Sequence, residues 1–131
     1  MSNRYSRKAV FQALEEKARV ASDNVYRTSR PLAKITERMK DFIVIRLPQG
    51  ITPYADTHNI SYVQFLCFTK DRQEGIEDTT RMESLIEAVS SLFPFNDTLI
   101  SCNDTPIILQ SKGDGMGFHS TIIQFRIVIK V

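Results

Sequence analysis

The sequence predicts an α+β domain in which two helices pack on one face of an antiparallel sheet of four to five strands. Two segments place apolar residues at helical spacing, and five carry the β-branched density or two-residue alternation of strands. The connections between consecutive strands are short enough for antiparallel pairing. At 131 residues the chain fits one domain, domains usually running to about 100–150 residues. A hydrophobic fraction of 42% with 24% charged residues is the composition of a folding chain, far from that of a disordered one.

From Ser6 to about Ser22 the residues Val10, Phe11, Leu14, Ala18 and Ala21 recur along one helical face, with Arg7, Lys8, Gln12, Glu15, Glu16 and Arg19 on the others. Ser6 is placed to cap this helix. Residues 23–30 are polar and irregular, and Pro31 opens a short helical piece carrying Leu32, Ile35 and Met39 on one side. After Asp41 the run Phe42–Leu47 is a strand stopped by Pro48. Pro48, Gly50, Pro53, Asp56 and Asn59 punctuate a long loop, a length at which loops often contact something. Ile60–Thr69 is apolar on both faces in its second half, which suits the middle of the sheet.

Lys70–Gly75 reads as a turn. Met82, Leu85, Ile86, Val89, Leu92 and Phe93 then form the clearest helical face in the chain, with Thr80 and Glu83 at capping-box spacing and Pro94 as the stop. Thr98–Cys102 and Thr105–Ser111 are expected to pair as a hairpin across Asn103-Asp104. Residues 112–117 are a mobile glycine-rich turn, and Phe118–Val131 is a long final strand. In it Thr121, Ile123, Phe125, Ile127, Ile129 and Val131 point to the core. The other face mixes Gln124, Arg126 and Lys130 with Ile122 and Val128.

Charge divides the single domain into a basic helical segment, 1–40, and a sheet with its central helix, 41–131. The first holds ten Lys/Arg against four acids, net +6, and the second seven against eleven, net −4. The N-terminus lacks the apolar core of a signal peptide, and nowhere do 18 apolar residues run together, so synthesis in the cytoplasm and no membrane partner are expected.

Catalytic, cofactor and metal chemistry find little support. Gly113, Gly115 and Gly117 form G-x-G-x-G, neither a dinucleotide fingerprint nor a P-loop, and they precede a strand where phosphate binding uses a helix N-terminus. The two histidines, His58 and His119, are too few for a zinc site without ligands converging from distant segments. Cys67 and Cys102 lie in apolar runs as small buried hydrophobes, without the surroundings of a nucleophile. The acids Glu74, Glu77, Asp78, Glu83 and Glu87 are read as the cap and solvated face of the second helix. The basic segment admits two readings. It neutralises phosphates, with Tyr5 and Tyr26 as stacking groups, or it complements an acidic partner surface.

The segment Arg30-Pro31, the strand Asp41–Pro48, the Pro/Gly loop and the strand ending Phe68-Thr69-Lys70-Asp71 make the chain resemble the tail-terminator and head-to-tail connector proteins of tailed bacteriophages. The resemblance is one of element order over nearly the whole chain. It implies a structural virion protein without enzymatic activity or cofactor. Such a subunit forms a ring, sixfold in tail terminators or twelvefold nearer the portal, that meets neighbouring connector or tail-tube proteins around the DNA channel. The stretch between first helix and first strand is longer and more basic here than in that family. Candidate contacts with a partner or with DNA in the channel are Arg27, Arg30, Lys34, Arg38, Tyr54 and Lys112. The apolar run Tyr62–Phe68, with Ile122 and Val128, leaves surface that helices on one face do not cover and that oligomerisation would.

Overall fold

The long strands dictate the architecture, because their two-residue alternation divides the apolar residues between two faces that both need cover. The computed structural model describes residues 7–48, 51–55, 58–73 and 75–130. Among these the order is α1 (Arg7–Ala18), β1 (Val25–Arg27), α2 (Ala33–Thr36), β2 (Asp41–Arg46), β3 (Ile51–Ala55), β4 (His58–Lys70), α3 (Thr79–Ser90), β5 (Phe95–Asn96), β6 (Ile100–Cys102), β7 (Ile107–Ile108), β8 (Lys112–Gly113) and β9 (Phe118–Lys130).

The chain is α+β, with a mostly antiparallel mixed sheet. Its main path runs β1-β2-β4-β9-β6-β5. β4 and β9 pair antiparallel along their whole length, from His58↔Lys130 to Lys70↔Phe118. β2 flanks the second half of β4, from Asp41↔Thr69 to Arg46↔Gln64, and β3 flanks its start. β4 therefore sits in the middle, where its apolar residues on both faces are covered.

Several expectations need correction. Among the described residues the sheet has nine strands rather than four or five. Residues 25–27, within the stretch expected to be irregular, supply β1, which pairs parallel with β2 and carries the basic segment into the sheet. Part of the expected long loop is β3; residues 49, 50, 56 and 57 lie outside the described residues. The hairpin between residues 98 and 111 does not form, since β6 pairs with β5 and β9 whereas β7 pairs with β9 alone. The short helical piece expected after Pro31 is α2, so among the described residues three helices are present, α1 and α3 on one face and the α2 segment over the other, rather than two helices alone. Strands of two or three residues are too short for a period to register, and pairings such as that of β6 with β9 leave no local mark in the sequence.

Against one face of the sheet, α1 contributes Val10, Phe11, Leu14 and Ala18, and α3 contributes Leu85 and Val89. These share a buried cluster with Ile43, Ile45, Val63, Phe65, Ile123, Phe125 and Ile127. Phe65 and Phe93 both meet the Phe125 ring edge to face, with centroids 5.0 and 4.7 Å away. Each such side chain contributes about 1.5–3 kcal/mol by leaving water. α3 is capped by Asp78, whose carboxylate accepts from the Arg81 backbone N–H at 3.1 Å, and not by Thr80. A carboxylate at the N-terminus also answers the helix dipole, which a hydroxyl does not.

The opposite face carries a second cluster of Phe42, Val44, Leu66, Phe68 and Phe118, flanked by Tyr26, Met39 and Ile122. Phe42 and Phe68 stack at 4.5 Å, and Phe118 tilts against Phe42 at 5.2 Å. The segment after β1, which includes α2, closes over this end of the face.

Candidate assembly surfaces

The basic segment is partly consumed inside the fold. Arg27, in β1, donates from Nε to Glu15 Oε2 at 3.1 Å and from Nη2 to Glu15 Oε1 at 2.7 Å. This two-pronged bond holds the Glu15 carboxyl below the usual carboxylate range, burial opposing the shift. Arg30 goes further inward. Its guanidinium lies 5.2–5.7 Å from the ring centroids of Phe118, Phe42 and Phe68, and its Nε donates to Asp114 Oδ2 at 2.9 Å. Both side chains are nearly buried, 12% and 11% exposed, and Arg30 Nη1 also reaches the Pro31 carbonyl at 2.9 Å. The flat cation thus fills an aromatic box as well as an ion pair.

Asp114 is organised from the glycine-rich turn. Its Oδ1 accepts from the backbone N–H groups of Met116 and Phe118, at 2.7 and 3.1 Å, leaving Oδ2 for Arg30. Gly115 and Gly117 take the positive φ values, +74° and +86°, that this tight path demands. Expected as a mobile turn, the segment is tied to the sheet through β8 and to Arg30 through Asp114.

Beside it His119 Nδ1 bonds Asp71 Oδ1 at 2.6 Å, joining the end of β4 to the start of β9. Cys67 Sγ faces the Phe65 carbonyl at 3.9 Å, and burial pushes its thiol up to about 12, so it is protonated at neutral pH. Burial raises Cys102 too. Cys67 and Cys102 are free cysteines, both buried. A thiol held protonated is a packing group rather than a nucleophile.

The remaining candidate contacts scatter. Lys34 and Arg38 are exposed in and after α2, beside exposed Leu32 (74%) and Ile35 (53%). Lys112 is exposed on β8 at the far side of β9. Tyr54 belongs to β3, but its side chain lies outside what is described, as do Arg4, Tyr5 and the side chain of His58. Tyr26 packs edge-on against Phe42 and donates to Met39 Sδ at 3.6 Å, so it is not a free stacking platform.

Two apolar surfaces emerge that sequence reading located only in part. One is the face of β4 and β9 turned away from α1 and α3. Register pairs Ile60 with Val128, Tyr62 with Arg126 and Gln64 with Gln124 there, and the two glutamines bond side chain to side chain at 2.9 Å. Ile60, Ile122 and Val128 are half-buried and Tyr62 is 42% exposed. The other is a shallow groove of about 200 Å³ between the first half of α3 and β7, lined by Glu77, Met82, Glu83, Ile86, Ile108 and Leu109 among others. Ile108, in its lining, is 50% exposed, and its neighbour Ile107 is 57% exposed. They fall within the strand expected over Thr105–Ser111, whose place beside α3 the sequence did not show.

No protein-family model and no curated protein matches the chain. Among the described residues no helix is long and apolar enough to cross a membrane.

Proposed function

We propose that this chain is a structural ring subunit at the head–tail junction or tail end of a tailed phage, a terminator or connector that surrounds the DNA channel in a ring of six or twelve copies. The observation that supports the reading most is the open sheet face. Ile60, Tyr62, Ile122 and Val128 lie on the two longest strands, on the side away from α1 and α3, and remain half-buried or exposed. Association removes such surface from water, and a head-to-tail contact that closes on itself does so without open-ended growth. The buried, protonated cysteines and the internally paired Arg27 and Arg30 fit a scaffold better than a reaction centre.

Native mass spectrometry of the chain alone, and of virion neck and tail assemblies, tests this. The expected result is a ring of six or twelve in the assembly, lost on Val128→Asp while circular dichroism shows the fold retained. A chain that is monomeric at every concentration and absent from virions rules the reading out. The alternative, a small nucleic-acid-binding protein, draws on the exposed Lys34, Arg38 and Lys40.

A further inference from the structure

The structure carries two exposed surfaces of opposite charge, each centred on apolar side chains. The first is the ridge around α2. Leu32, at the start of α2, and Ile35 within it are 74% and 53% exposed and are flanked by exposed Lys34 and Arg38. The second is the groove between α3 and β7. Its charged lining is acidic, Glu77 and Glu83, with exposed Glu87 one turn beyond Glu83, and its floor includes Ile86 and Ile108. Glu77 is already engaged by the Ser111 hydroxyl, so Glu83 and Glu87 are the carboxylates that face outward.

The two surfaces cannot meet within one chain. Arg30 and Met39, which bracket the ridge, pack on the sheet face of Phe42 and Phe68, whereas α3 packs on the other. The ridge segment lies over the first face, where Arg30 spans Phe42, Phe68 and Phe118, while the groove opens on the other face beside β7 at the edge of β9. A basic apolar ridge on one face and an acidic apolar groove at the far edge of the other make a heterologous pair.

We infer that the α2 ridge of one copy docks into the α3–β7 groove of the next, Lys34 and Arg38 facing Glu83 and Glu87 while Leu32 and Ile35 cover Ile86 and Ile108. The partner is a second copy because that arrangement uses both surfaces of every subunit, whereas a foreign acidic partner leaves the groove bare. The inference rests on the ring reading only for the choice of partner, and it names a contact that the ring reading does not require.

The test is charge exchange, read by sedimentation velocity across concentration and salt. Wild-type chain is expected to self-associate, more weakly as salt rises. Lys34→Glu with Arg38→Glu, or Glu83→Lys with Glu87→Lys, should each weaken association by about tenfold or more, like charges now facing each other. Mixing the two variants in equal amounts should restore it, since both kinds of contact in the mixture are again complementary. So should combining all four changes in one chain. All substituted side chains are exposed, so melting temperatures should stay near wild type; a variant that has lost its melting transition is replaced by the Gln version at the same positions.

If both reversals associate as wild type does, the contact lies elsewhere and the inference falls while the ring reading stands. Restoration failing in both the mixture and the fourfold variant likewise overturns it. If the wild-type chain is monomeric at all concentrations and only an acidic foreign protein binds the ridge, the second-copy assignment is wrong. Rings found in particles in that case keep the ring reading alive on other contacts.

Discussion

At the scale of single residues, the buried cation decides most. Arg30 and Asp114 are almost wholly removed from water, and the pair ties the basic segment to the glycine-rich turn. Removing one member of such a pair leaves an uncompensated buried charge and costs about 3–5 kcal/mol. Asp114→Asn keeps an oxygen for the Met116 and Phe118 N–H groups while removing the charge, so it isolates that loss. It should lower the urea midpoint sharply, and adding Arg30→Met should recover much of it, because a methionine fills the aromatic box without a charge. An unchanged midpoint for Asp114→Asn would mean that the guanidinium is solvated. Glu15 gives a milder, pH-dependent effect. Its folded carboxyl is depressed chiefly by the Arg27 hydrogen bond, so the stabilisation is fully present above the unfolded carboxylate range and is lost as pH falls through the folded value. Arg27 is 36% exposed, so solvent screens the pair and its contribution is small. Wild type should exceed Glu15→Gln in stability at pH 7, and urea titrations should show the gap closing in acid.

Among the elements, α3 and β9 bear the main core, and their inward positions are not equivalent. Helical spacing puts Leu85 and Ile86 on the same apolar face, but Leu85 is buried and Ile86 only half so, at the edge of the groove. Leu85→Ala should cost about 2–5 kcal/mol and Phe125→Ala about 3–5 kcal/mol. Ile86→Ala should cost well under half of the Leu85 value, and Ile86→Asp should fold where Leu85→Asp does not. Thermal denaturation of the set checks the order, and equal losses at 85 and 86 would mean that the groove closes over Ile86 in solution. This ranking corrects the expectation from periodicity that Ile86 is a principal core residue.

For the whole molecule, the charge split now has a structural meaning. Of the four cations singled out at the start of the chain, Arg27 and Arg30 are engaged internally, and Lys34 and Arg38 project outward. Replacing all four by Gln would confuse folding with binding. Lys34→Gln with Arg38→Gln alone should leave the fold intact, impair assembly, and change duplex DNA binding of the free chain little. A free chain that binds duplex with sub-micromolar affinity, steeply weakened by salt, would favour the nucleic-acid reading, since each neutralised phosphate contributes about 0.9 to the log-log slope. Feeble binding alongside lost assembly would favour docking.

The sequence by itself determined the α+β class, the two long strands with their inward and outward residues, the long helices, and the buried thiols, because each of these repeats a period over about a dozen residues or lies in a strand with apolar neighbours. Tertiary structure alone decided the rest. β1, β5 and β8 are two or three residues long and exist because a neighbouring strand offers them hydrogen bonds, and β6 and β7, expected as strands, owe to the fold their pairing with β9 in place of each other. Arg30 looked like surface charge because its counterion stands 84 residues away, in a turn whose Asp and Gly residues signal a bend and not a partner. Likewise the groove's acids and apolar residues come from segments that only the fold places side by side. Local periodicity records which face of an element is buried; which distant group it is buried against is written in the sum of the contacts.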